Sequence, residues 1–143
     1  MEYINAAASS SRIGHDRDLA YLLNNHKVDP DAKTTDNERP LIHHCVYATN
    51  PIPVIELLIM HGADVNIPNT NGVSPLANML MARYTEELFY WPLVRLLLRH
   101  KAKFLLSDKI NIGALKERLR RADKEHDLRD KLKEMINDIS ALI

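Results

Sequence analysis

The apolar positions of this chain fall in leucine doublets at helical spacing, and the doublets recur. Leu22-Leu23, Leu57-Leu58 and Leu96-Leu97 lie 35 and 39 residues apart. Each follows apolar residues one turn earlier: Leu19, then Val54 and Ile55, then Leu93 and Val94. Apolar residues at i, i+3 and i+4 turn one face of a helix toward a core. A histidine comes three residues after each doublet, at His26, His61 and His100. Upstream, Arg39-Pro40-Leu41 and Ser74-Pro75-Leu76 stand 35 apart and open further helices. Proline in a first helical turn lacks only a donor that had no partner there. The pattern predicts a repeated helix pair, in units of roughly 1–33, 34–68 and 69–107, with a remnant over 108–143.

Within unit one, a helix over Glu2 to about Ser10 turns Tyr3, Ile4, Ala7 and Ala8 inward, and Asp16 caps a second helix through Asn25. Unit two has a helix from Pro40 to about Ala48. A rigid connector Asn50-Pro51-Ile52-Pro53 follows, with Pro53 opening the next helix, which Gly62 ends in the left-handed conformation. Asn71-Gly72 is a tight turn. Ser74 caps a helix from Pro75 to about Tyr84, and Pro92 restarts one carrying Leu93 through Leu98. Lys27 and Lys101 stand where Gly62 stands in its unit, which predicts a looser helix end at Lys101. From Asp108 two amphipathic helices fit, one with Leu115, Leu119 and Ala122, the other with Leu128, Leu132, Met135, Ile136 and Ile139. Their other faces carry both charges, as a terminal cap does. The spacings leave insertions between the helices of units two and three.

The run from Val54 to Asn66 ends in GADVN after a leucine-rich helix, and Ser-Pro-Leu follows the next turn. In these letters the chain resembles the ankyrin-repeat family. The likeness covers residues 34 to about 107 well, 1–33 weakly and 108–143 by helix count alone. It implies an all-α solenoid of antiparallel helix pairs joined by hairpin turns, one ankyrin-repeat domain over 1–143. It also implies that hairpin tips and first-helix faces bind a protein partner. Those positions are Lys33, Thr35, Asp36, Glu38, Val46 and Tyr47, then Pro68, Thr70, Asn71, Val73, Met81 and Ala82. The run from Leu58 to Asn66 is similar to the context in which an oxygen-dependent hydroxylase modifies asparagine in some ankyrin proteins, and Asn66 is equally a structural turn residue.

The insertion in unit three holds half of the chain's aromatic residues, Tyr84, Phe89, Tyr90 and Trp91. Tryptophan and tyrosine are enriched at interface hot spots, so this loop is a second candidate anchor; burial against its own helices is the alternative.

Composition narrows the chemistry. Nineteen basic and nineteen acidic residues cancel, which points to neither nucleic acid nor a membrane surface. The single Cys45 allows no internal disulfide and suits a reducing compartment. MEYINAAASSSRIG has neither the basic nor the apolar region of a secretory leader. His43, His44 and Cys45 are consecutive, so on a helix they point about 100° apart and cannot share an ion. His44 and Cys45 are expected to pack inside and His43 to be partly exposed. The histidines after the doublets sit well against helix C-terminal dipoles. Ser74 is read as a helix cap, and Cys45 has no base and orienting acid in pattern. Arg118, Arg120 and Arg121 are interleaved with acids, as on a solvated face.

The expected protein is a non-catalytic, cytosolic interaction module without cofactor or metal, monomeric alone, acting as adaptor, inhibitor or effector (in a host cytosol if secreted). The alternative is a structural protein that self-associates through the apolar stripe of its last helix.

Overall fold

The computed structural model describes residues 2–35, 38–46, 48, 50–82, 91–121 and 127–141. Its helices are α1 (Glu2–Ile13), α2 (Asp16–Asn25), α3 (Leu41–Cys45), α4 (Pro51–Met60), α5 (Pro75–Ala82), α6 (Trp91–Arg99), α7 (Ile112–Arg121) and α8 (Asp127–Ala141). A 3-10 turn over Leu106–Asn111 runs into α7. The helices form two columns. In one, α1, α3, α5 and α7 touch in that order; in the other, α2, α4, α6 and α8 do the same. Each odd-numbered helix also packs on the even-numbered helix after it. The architecture is an all-α, ankyrin-like stack of helix pairs. The residues after Asp108 continue both columns as a full pair, which sequence pattern indicated only by helix count. Among the described residues no helix is long and apolar enough to cross a membrane.

The leucine doublets make the even column. Leu19, Leu22 and Leu23, then Val54, Ile55 and Leu58, then Leu93, Val94, Leu96 and Leu97 are buried. The odd column buries Ala7, Ala8, Leu41, Ile42, Cys45, Leu76, Ala77, Met79 and Leu80. A fully buried leucine-sized side chain contributes about 1.5–3 kcal/mol, so each column is held chiefly by apolar contact with its neighbours. The stripe of α8 joins the same core: Leu128, Leu132 and Ile136 are buried, and Met135 and Ile139 pack against them.

Several local expectations are corrected. Tyr3 does not turn inward; it is 45% exposed and stacks on His26 with ring centroids 4.0 Å apart. Asp16 is the first residue of α2, not its cap; His15 holds the cap position, without a side-chain bond. Helix α3 stops at Cys45, short of Ala48. Pro51 and Pro53 both lie inside the first turn of α4, so the expected rigid connector is helix. Tyr21, although in an apolar run, is exposed.

The helix ends show why Lys101 is no looser than Gly62. The amides of Gly62 and Ala63 donate to Ile59 and Leu58 carbonyls at 3.0 and 2.9 Å. The amides of Lys101 and Ala102 donate to Leu98 and Leu97 at 3.0 and 2.9 Å. Both residues take positive φ, +92° and +67°. Glycine adopts this conformation freely, whereas a Cβ costs roughly 1–2 kcal/mol there. The turns beyond these ends are joined along the stack. Asp31 Oδ1 accepts from the Asp64 amide at 2.8 Å. One period on, Asn66 Oδ1 accepts from the Lys103 amide at 2.9 Å, and Asn66 Nδ2 donates to the Lys101 carbonyl at 3.3 Å.

Lys101→Gly is expected to stabilise the protein by about 1 kcal/mol, roughly 3 °C in Tm at this size. Gly62→Ala is expected to cost about 1 kcal/mol, because nothing lies within 4 Å of an added Cβ and only the backbone angle resists it. Urea denaturation of the two variants checks both signs.

Candidate functional site

The two hairpin tips are built by short local bonds. In the first, Lys33 and Pro40 form an isolated antiparallel bridge. The Thr34 amide donates to Arg39 O at 3.1 Å and the Glu38 amide to Thr34 O at 2.9 Å. In the second, Asn69 Oδ1 accepts from the amides of Asn71 and Val73 at 2.9 and 3.0 Å, and Gly72 turns at φ +77°. A Cβ on Gly72 would lie 3.0 Å from Ser107 Cβ, so this tip rests against the following turn, and a side chain there would press on that turn as well as strain the backbone.

Behind the second tip, Arg39, Asn69, Asn71, Val73, Asn78, Met81 and Asn111 surround a cleft of about 240 Å³. It joins both tips to α5 and to the 3-10 turn before α7. A smaller cleft of about 180 Å³ lies between α1 and the first tip, lined by Asn5, Ala8, Ser9, Arg12, Thr34 and His44. Asparagine side chains offer both donors and an acceptor, so the larger cleft is suited to the alternating polar groups of a peptide backbone.

Of the expected contact residues, Asn71, Val73 and Met81 come together at this cleft. Lys33, Thr35, Glu38, Pro68 and Thr70 are exposed on the tips. Val46 is 2% exposed and Val73 8%; both side chains belong to the core. Trp91 is half-buried and packs against the core at the start of α6. Asp36, Tyr47, Tyr84, Phe89 and Tyr90 lie outside the described residues, as does the side chain of Ala82. Arg39, Asn78 and Asn111 were not foreseen. Asn78 was findable, because it stands one period after His43.

That pairing matters. His43 is fully buried, not partly exposed. Its Nε2 bonds the Ile67 carbonyl at 2.8 Å and its Nδ1 meets Asn78 Nδ2 at 2.8 Å. The carbonyl can only accept, so Nε2 carries the proton and Nδ1 accepts from Asn78. The neutral ring thus ties α3 to the turn after α4 and to α5. Burial lowers its pKa below the usual value, against the opposing pull of the Ile67 bond.

A second anchor is Asp108, fully buried. Its Oδ1 accepts from the Ser74 amide at 2.7 Å. Its Oδ2 accepts from the Ser74 hydroxyl at 2.6 Å and from the Leu105 amide at 2.6 Å. Ser74 Oγ in turn accepts from the Ala77 amide at 3.1 Å, capping α5. The serine proton is committed to a structural carboxylate, so the hydroxyl is a cap and not a nucleophile. Asp108 stands 34 residues after Ser74, where the period places the opening of the next helix.

The remaining candidate chemistry also resolves into packing. Burial pushes the Cys45 thiol up to about 12, against weaker hydrogen bonding to Ser11, so it is a thiol at neutral pH. His44 Nδ1 lies 2.9 Å from Arg12 Nη2, away from the partners of His43. His61 meets the Leu57 carbonyl at 2.8 Å and Asn24 Oδ1 at 3.0 Å, bridging α4 to α2. Among the described residues no three His, Cys, Asp or Glu side chains converge. Arg120 and Arg121 share Glu117 at 2.7 and 3.2 Å on the solvated face of α7.

These features define a helix-pair repeat protein whose exposed variety lies in its tips and clefts. The family model described as Ankyrin repeat matches residues 37–70; the match supports an ankyrin-repeat reading of that stretch, and the all-α stack is consistent with it. Ankyrin repeats serve in general as protein–protein interaction modules. No curated protein matches the chain.

Two outcomes follow from the anchors. Asp108→Ala leaves two buried donors of Ser74 and the part-buried Leu105 amide without their acceptor and is expected to cost about 3 kcal/mol or more; equilibrium unfolding measures it. His43 binds a proton less readily folded than unfolded. Its contribution is therefore complete above the unfolded pKa of about 6.5 and is lost as pH falls through and below that value, with a slope of at most about 1.4 kcal/mol per pH unit. The stability loss between pH 7.5 and 5 is expected to be smaller in His43→Gln than in the wild type.

Proposed function

We propose that this protein is a non-catalytic binding module that holds a protein partner on the side formed by its hairpin tips and first-helix column. The observation that carries the reading is the cleft behind the second tip, where amide side chains from two turns and a helix face solvent together. Lys33, Thr35, Glu38, Thr70, Asn71 and Met81 are the described side chains assigned to the contact, and Trp91 with its neighbouring insertion extends it. Arg39, Asn78 and Asn111 join them. The module would work in the cytosol by occupancy, as an adaptor, inhibitor or effector, and as a monomer; the stripe of α8, which the alternative needed for self-association, packs into the protein's own core.

Immobilised protein is expected to capture a specific partner from lysate, identified by mass spectrometry. Asn71→Arg combined with Met81→Glu is expected to weaken that partner at least 10-fold, about 1.4 kcal/mol, with the helical circular dichroism unchanged. Unaltered affinity in the double variant defeats the assigned surface.

A further inference from the structure

The other large concavity has a different chemistry and no part in the surface above. A cleft of about 290 Å³ is lined by Lys116, Leu119 and Arg120 of α7 and by Lys133, Ile136 and Asn137 of α8. Both sets have the spacing i, i+3, i+4, so the cleft is the seam between the two helices. Among the described residues, none of α1–α6 lines it. Leu119 and Ile136 are buried and close the floor, while the aliphatic stems of the basic side chains make apolar walls with charged tips.

Charge is sorted around this seam. Helices α7 and α8 carry Glu117, Asp127, Asp130, Glu134 and Asp138, yet none of these carboxylates lines it. Arg120 is engaged by Glu117 at 2.7 Å. Neither Lys116 nor Lys133 has an ion pair among the described residues. A face selected only for solubility mixes its signs; among the described residues this one sets two ammonium groups without an ion pair on either side of an apolar slot.

We infer that the α7–α8 seam is a second docking site, taking an acidic segment of a partner protein that seats one bulky apolar side chain between Lys116 and Lys133. The volume suits a side chain of indole size, and the lysines complement carboxylates on either side of it. An apolar anchor supplies affinity, while the charges supply orientation and rate.

The probe is a fluorescein-labelled decapeptide of Glu and Asp around one central Trp, followed by fluorescence anisotropy with the full chain. Saturable binding is expected to weaken at least 10-fold when Trp is replaced by Ala in the peptide. The same loss is expected for Lys116→Glu/Lys133→Glu in the protein, whose thermal melt should be unchanged. Binding should also weaken several-fold between 50 and 300 mM salt, and Asn71→Arg should leave it intact, so that failure here is separate from failure of the concave surface. The inference is overturned by absence of saturable binding up to 1 mM, by equal affinity for the peptide with Gln and Asn in place of Glu and Asp, or by sensitivity to Asn71→Arg. It is also overturned if sedimentation shows wild-type self-association that the lysine double variant abolishes, which would assign the seam to a second copy.

Discussion

A helix pair of this kind cannot bury its apolar face alone. The stripe of α3 and α4 is covered only because α1 and α2 lie on one side and α5 and α6 on the other, and the same holds along both columns. Stability is then a sum of nearest-neighbour contacts, and the stack must fix the distance and register of each pair on the next. Apolar contact is non-directional and does not set register. The directional work falls to a few polar groups buried between units.

Two of them sit in the first-helix column. His43 reaches one unit forward to Asn78 and, within its own unit, to the Ile67 carbonyl. Asp108 reaches one unit back to Ser74. A slip of one residue would leave their donors and acceptors unpaired in the core, at about 1–3 kcal/mol for each. The turn bonds from Asp31 to Asp64 and from Asn66 to Lys103 repeat the device near the surface. Their regularity also explains how Lys27 and Lys101 are held at positive φ: the following residues are already fixed by the stack, so local strain is outweighed by packing.

Because the polar anchors lie inside, the exposed tip side chains Lys33, Thr35, Thr70 and Asn71 are not what holds the units in register. Two of the clefts differ in their lining. One is walled by amides that can meet a peptide backbone; the other is an apolar seam between lysines.

The doublets, the Pro-Leu helix openings and Gly62 made the helices and their period legible, because each acts within a turn or two of chain. Ser74 was readable as a cap for the same reason. The sequence left the fourth pair as two unplaced stripes, set the Lys101 helix end too loose and left His43 half outside. It gave Tyr3 to the core and Val46 to the surface, where the fold does the reverse. The deciding partners lie more than twenty positions away: Ser74 for Asp108, Asn78 for His43, His26 for Tyr3. Local periodicity determined what the elements are. Which faces meet water, and where charge is sorted from charge, was decided only when the columns stacked, because burial belongs to pairs of surfaces and not to a stretch of chain.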